Sequence, residues 1–268
     1  MDRSLLKNII IIILVLVNLF LAASLFMRQN SAIHSRRQTE TQLIELFAAD
    51  GMTLDKHAFS RKTPPAPFVL SRSLQRERDA AVFFLGSSLL QEDQGGGTYT
   101  YTGDSGVARF RTGGTFEIAG TLATGDPEAF FRSFCKTFSY ETLTMEFHDN
   151  GTGSATAIPV CNDLAVFNCP VTFTVSSGGL MTVSGTLLPP EGSSGISETE
   201  PLSAAAALTV FQNTRRETGA VVSAVTELTL CYELQSTSTL TLAPSWCITT
   251  DTKNYYVNCI TGSVTSEN

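Results

Sequence analysis

The most chemically suggestive stretch of the chain is Gly103-Asp-Ser-Gly106, which would present a serine hydroxyl from a tight turn. A nucleophilic serine needs a histidine base, a carboxylate to orient it and backbone donors for an oxyanion. His57 stands in Leu54-Asp-Lys-His-Ala-Phe59, a context unlike that of a catalytic base, and the strands that should precede it are absent. Asp-Ser-Gly is ordinary turn chemistry, so a β-turn between Tyr99–Thr102 and Val107–Phe110 is the preferred reading. Gly95-Gly-Gly-Thr98 lacks the lysine of a phosphate loop and opens no helix, which leaves a flexible turn. Glu146, His148 and Asp149 have metal-ligand chemistry, but strand alternation sets Glu146 and His148 on one solvated face. Asp50, Asp55 and His57 read as a polar turn near Gly51. Asn150-Gly-Thr152 matches a glycosylation acceptor and is also a strong hairpin-turn signal; the turn is preferred. Arg215-Arg216-Glu217 is the charged end of a helix. No nucleophile, base and oxyanion site assembles, so neither an enzyme nor a cofactor or metal is expected.

Cys135, Cys161, Cys169, Cys231, Cys247 and Cys259 make six, none in the close spacing of a zinc knuckle or redox dithiol. Cys161 and Cys169 are spaced for a short disulfide loop. Cys247 and Cys259 are a second candidate pair, across a hairpin with its tip near Asp251–Asn254. That pairing requires an odd register, because a four-residue loop would set Cys247 opposite Asn258. Buried free thiols are an equal alternative.

The elements that must position these residues follow from pattern. Residues 30–50 are helix-compatible, with an apolar face at Leu43, Ile44, Leu46 and Phe47 and a stop at Gly51. Phe68-Val-Leu70 reads as a strand after a proline-rich break, and Glu77 to Leu90 as a helix ended by Gly95-Gly-Gly97. Thr98–Thr102, Val107–Arg111 and Thr115–Leu122 follow as strands. Asp126 caps and Pro127 opens a helix to about Phe138. Thr142–His148, Gly153–Pro159, Val171–Val175 and Leu180–Leu187 form a second strand set. After a Gly/Ser/acidic linker at Glu191–Glu200, Leu202 to Arg216 is helical. Val225–Leu234, Thr239–Leu242, Trp246–Thr250 and Tyr255–Ile260 close the chain as strands. Helix-then-meander therefore recurs. The fold class is α+β: one N-terminal transmembrane helix, then antiparallel sheets with packed helices, in two similar subdomains divided near Gly125.

The chain has 268 residues and a net charge of −7, an acidic balance without the basic stripe that nucleic acid requires. Ile9 to Met27 carries no charge, and Asn18 and Ser24 are its clearly polar interruptions. About 20 such residues cross the ~30 Å hydrocarbon layer, and the run is longer than the apolar core of a cleaved signal peptide. The expected organisation is residues 1–8 cytoplasmic, 9–27 a membrane anchor, 28–50 a helical stalk, 51–124 a first extracytoplasmic subdomain and 125–268 a second. The expected location is the cell membrane, single-pass, with the bulk extracytoplasmic.

Two regions carry a family resemblance. The first is Met1-Asp-Arg-Ser-Leu-Leu-Lys-Asn-Ile to Asn18-Leu-Phe-Leu21. The second spans Leu202–Leu208, Val225–Tyr232, Leu242–Thr249 and Tyr255–Gly262, with a weaker stretch from Val166 to Gly185. Its motif is a Leu-x-Tyr strand ending at Tyr232, a Pro-x-Trp strand at Pro244 and Trp246, and a hairpin Tyr255-x-x-Asn258-x-x-x-Gly262. Together these resemble the YycI/YycH-type accessory regulators of the WalK-type sensor histidine kinase, and the ending is shared with PepSY-like modules. The resemblance implies a non-enzymatic regulator that contacts the membrane, the kinase and a sister YycH-like protein, tuning a cell-wall-linked two-component system. Asn18 is the candidate transmembrane contact, since an intramembrane amide can hydrogen-bond across a helix pair. The alternative function is an anchored extracytoplasmic enzyme or small-ligand binder using a cleft between subdomains. The six cysteines and the Ser/Thr/Gly-rich middle depart from the family.

Overall fold

The sequence cues for helix starts meet their geometry in a computed structural model that describes residues 14, 17, 18, 37–60, 62–122, 125–190, 192–195, 200–236 and 239–267. Four α-helices lie among the described residues from 37 onward. Helix α1 covers residues 37–49 and stops where Gly51 takes a left-handed φ of 75°. Helix α2, Leu74–Leu85, is capped by Ser73, whose hydroxyl accepts the Arg76 N–H. Helix α3, Pro127–Phe138, opens as expected, with Asp126 accepting the Ala129 N–H. Helix α4, Ala204–Thr218, is capped by Ser203 and ends at a left-handed Gly219.

Strands β3 (Leu90–Asp93), β4 (Tyr99–Gly103), β5 (Gly106–Phe110), β6 (Thr115–Thr121), β7 (Tyr140–Phe147), β8 (Gly153–Cys161), β9 (Leu164–Ala165), β10 (Val171–Val175) and β11 (Leu180–Thr186) form one nine-stranded sheet. Its order is β3-β4-β5-β6-β11-β10-β8-β7, with β9 on β8. Helix α2 with β3–β6 and helix α3 with β7, β8, β10 and β11 are two helix-then-meander units. They abut through their last strands, β6 and β11. The expected division at 124/125 thus falls inside one sheet, because β11 returns to pair with β6. Alternation turns Phe110, Phe116, Ile118, Phe173, Met181 and Val183 inward against α2 and α3, where they join a Phe-rich core.

The second sheet contains β1 (Thr53–Leu54), β2 (Phe68–Leu70), β12 (Gly192–Ser194), β13 (Ala224–Ser236), β14 (Leu240–Thr250), β15 (Asn254–Asn258) and β16 (Val264–Ser266). Its order is β1-β13-β14-β15-β16, with β2 on β14 and β12 on β2. All pairs are antiparallel except β1 with β13. Helices α1 and α4 cover its inner face.

Several elements depart from the pattern reading, among them β12, which pairs with β2 inside the stretch expected to be a linker. The second helix ends at Leu85, because Gly86 at φ 91° stops it. Leu90 then starts β3, so Gly95–Gly97 turn a hairpin instead of ending a helix. The two strands expected on either side of Pro244 are one strand, β14. Its outer edge is shared, β2 pairing with residues 240–242 and β15 with 245–249. Pro244 falls in the gap, where a missing N–H costs no ladder bond. The Cys259 carbonyl opposite that gap accepts the Leu202 N–H instead, at 2.8 Å.

Gly103 and Gly106 are cross-strand partners, so Asp104 and Ser105 are the two-residue turn of the β4–β5 hairpin. Gly106 has φ 151°, and a Cβ there would lie 2.2 Å from the Ala119 carbonyl of β6. Gly106→Ala is therefore expected to cost about 1–3 kcal/mol or more, measured as a shift in the urea midpoint at unchanged slope. An unchanged midpoint would contradict this close approach.

Candidate functional site

The residues that tie the chain's N-terminal side to its C-terminal sheet converge where α1 lies against α4. On α1, Leu43 and Phe47 fall one turn apart on the same face, and both are buried. The Phe47 ring lies 6.4 Å from Phe211 of α4, and Phe211 meets Tyr255 of β15 edge-on at 5.0 Å. Past the last turn of α1, Asp50 turns its carboxylate onto α4. It accepts the Gln212 amide, Arg216 Nε at 2.7 Å and Nη2 at 3.0 Å, and Arg215 Nη2 at 3.3 Å. Gln212 is fully buried, and its own oxygen accepts Arg215 Nε at 3.2 Å. The hydrogen bonds from Arg216, and then the charges of both arginines, hold the Asp50 carboxyl below its ordinary value. This four-residue clamp was not legible as a unit, since Asp50 and Arg215 lie 165 positions apart.

Asp50 accordingly adds stability above its unfolded pKa, near 3.9. That contribution disappears as pH falls through the depressed folded value. Asp50→Asn is expected to abolish it and to speed hydrogen exchange in α1 at neutral pH. Exchange in α1 equal to that of the unsubstituted chain would contradict the clamp.

The C-terminal motif residues are brought together as architecture. Trp246 is fully buried, and its indole N–H donates to the Leu202 carbonyl at 2.8 Å. This fixes the entry to α4. Asn258 is buried and held at both ends of its amide: Oδ1 accepts the N–H groups of Ile260 and Thr261, and Nδ2 donates to Glu233 at 2.7 Å. Gly262, at φ 71°, donates its N–H to the Asn258 carbonyl and closes the turn into β16. Tyr232 is buried on β13 beside Val166, and its carbonyl accepts the Phe167 N–H. On the opposite face of this sheet Phe167 and Tyr256 stack at 3.6 Å, parallel to within 2°. Cys231 and Ser245 are small and buried on that face, and Tyr256 anchors the C-terminal end by donating to Glu267 at 2.7 Å.

All six cysteines are free thiols in the structure. Cys247 lies opposite Tyr256, and the Cys259 N–H meets the Pro244 carbonyl. The register therefore does not make Cys247 and Cys259 a cross-strand pair. Cys161 and Cys169 pack in one apolar cluster with Leu70, Val166 and Tyr232. Burial raises the Cys169 and Cys259 thiols to about 12 and pushes Cys231 above the accessible range. Because the thiolate is the reactive form, slow labelling is expected at pH 8, with the half-buried Cys161 and Cys247 leading. Fast reaction of Cys169 or Cys231 in the folded protein would contradict this.

The Asn18 amide donates to the Leu14 carbonyl at 2.8 Å, one turn back on its own helix. Apart from residues 14, 17 and 18, the apolar run 9–27 lies outside the described residues. No helix among the described residues is long and apolar enough to cross a membrane. Glu146, His148 and Asp149 lie exposed at the β7–β8 hairpin, and no metal-sized cluster of ligating side chains occurs among the described residues. A space of about 10 Å³ at Arg72, Arg76, Leu187 and Leu240 adjoins both sheets and has room for one water. A groove of about 380 Å³ lies elsewhere, between the starts of α1 and α4, bordered by Phe59, Pro64, Pro201 and Ala204.

No family model matches the chain, and no curated protein matches it. Among solved structures, an uncharacterized protein from Eubacterium rectale aligns over 80% of this chain and 85% of its own, at 9% identity and TM-score 0.41. The Bacillus megaterium YpeB C-terminal domain aligns over 74% of this chain and 99% of its own, at 12% identity and TM-score 0.33. Both likenesses are weak, and neither bears on what the chain does.

Proposed function

We propose that this chain is a membrane-anchored extracytoplasmic accessory protein that modulates a sensor histidine kinase through protein–protein contacts. A sister YycH-like protein is its second partner. The observation that supports this reading is the seating of α1. The helix that follows the anchor run packs into the core of the C-terminal sheet and is clamped by Asp50 to α4. A displacement applied at the start of α1 would be shared by the sheet, as a protein that biases a membrane partner requires. Differential binding to one kinase state would shift its equilibrium by the difference in affinity.

The test is a crosslinking pull-down of the tagged full-length chain from native membranes, repeated with Asn18→Leu. Recovery of a histidine kinase or a sister anchored protein, weakened by Asn18→Leu, is the expected result. Undiminished recovery would move the contact to the outer part of the chain. Recovery of no membrane partner would overturn the proposal. The groove at Phe59, Pro64 and Pro201 supports a second reading, an anchored small-ligand binder, which a thermal-shift screen on the full chain would test.

A further inference from the structure

Asn150-Gly151 is the chain's single Asn-Gly step, and the structure places it at the exposed tip of the β7–β8 hairpin. Gly151 takes φ 76°, and open space surrounds the position where a Cβ would stand. The residue after Asn150 therefore brings no side chain of its own to hinder attack by its backbone nitrogen on the Asn150 amide carbon. The Asn150 Oδ1 accepts two hydrogen bonds from Thr152, from N–H at 3.0 Å and Oγ1 at 2.7 Å. Both donors sit where negative charge would gather if that carbon were attacked, the geometry that stabilises a tetrahedral oxyanion.

We infer that Asn150 is a site of self-catalysed deamidation, with Thr152 as the positioning residue that activates it. The Gly151 nitrogen adds to Cγ of Asn150 and loses its proton to water. The C–N bond of the side-chain amide then breaks, ammonia leaves with a proton from water, and a succinimide remains. Addition of one water opens the ring to aspartate or isoaspartate. No oxidant, reductant or enzyme is required. The Gly151 N–H donates to the His148 carbonyl at 2.8 Å, so that turn bond must open for the nitrogen to attack. The product adds a negative charge beside Asp149. In the isoaspartate form it also lengthens the backbone within the turn that sets the β7–β8 register.

Asp50-Gly51 provides an internal comparison. It has a similarly unobstructed glycine, but its carboxylate is held ionised by Arg216, Arg215 and Gln212. An ionised carboxylate is a poor electrophile, so Asp50 is expected to remain aspartate under the same conditions.

The test is peptide mapping by mass spectrometry of the full chain held at mildly alkaline pH, with isoaspartate detected by enzymatic methylation. Conversion at Asn150 is expected to outpace every other asparagine, and Asn150→Gln to remove the acidic variant. Thr152→Val is expected to slow conversion about fivefold, the worth of one hydrogen bond, in the folded chain and not in denaturant. Faster conversion at another asparagine would overturn the site. An unchanged folded-state rate in Thr152→Val, or a slowing that persists in denaturant, would overturn the role of Thr152.

Discussion

Replacing Trp246 with alanine is expected to destabilise the chain by about 3–5 kcal/mol. The indole is fully buried beneath α1 and α4, so its removal leaves the largest hole any single substitution could make in that sheet. It also strands the Leu202 carbonyl, which leads into the cap of α4. A loss of this size corresponds to a melting temperature roughly 10 °C lower. Trp246→Phe separates the two causes: it keeps most of the apolar fill and forfeits the hydrogen bond, at about 1 kcal/mol. If Trp246→Ala and Trp246→Phe were equally harmful, the packing account of this residue would fail.

An effect of the same order is expected at Phe134, in the other sheet. Its ring lies between α2, α3 and the strands, 4.9 Å from Tyr140, 5.3 Å from Phe84 and 5.3 Å from Phe138. Phe83 and Phe131 stand slightly farther off. Phe134→Ala empties the middle of this cluster and forfeits its tilted ring contacts, for about 3–5 kcal/mol. Phe134→Leu refills much of the volume and is expected to recover more than half of the loss. Equilibrium urea unfolding of both variants gives the comparison. A Phe134→Ala midpoint within error of the parent would mean that the two helices do not share this core.

Local chemistry made much of this fold readable. The Asp126-Pro127 start and the strands at Val171–Val175 and Leu180–Leu187 rest on capping and on period-two alternation, which act within a few residues. Where reading failed, the cause lay farther away. Leu90 carries helical spacing from α2, yet Gly86 stops the helix and β4 recruits Leu90 as a strand. Pro244 splits β14 by local rule, but β2 and β15 divide its edge and remove the penalty. The division near Gly125 follows the recurrence of helix and meander along the chain, whereas the pairing of β6 with β11 joins both sides of it.

The candidate site was legible in the same uneven way. Trp246, Asn258 and Gly262 stood out as a motif, and each has an architectural task in the β15 turn or under α4. Asp50 and Arg215-Arg216 read separately as a polar turn and a helix end. Only the fold makes them one clamp, because no periodicity links residues so far apart.

That clamp is also where the functional proposal can be tested most directly. The measurement is autophosphorylation of the recovered kinase in membrane vesicles, with the parent chain, with Asp50→Asn, and with no added chain. The account predicts that the parent chain changes the phosphorylation rate and that Asp50→Asn blunts this change while the chain still co-purifies. A rate that is the same with and without the chain would contradict it.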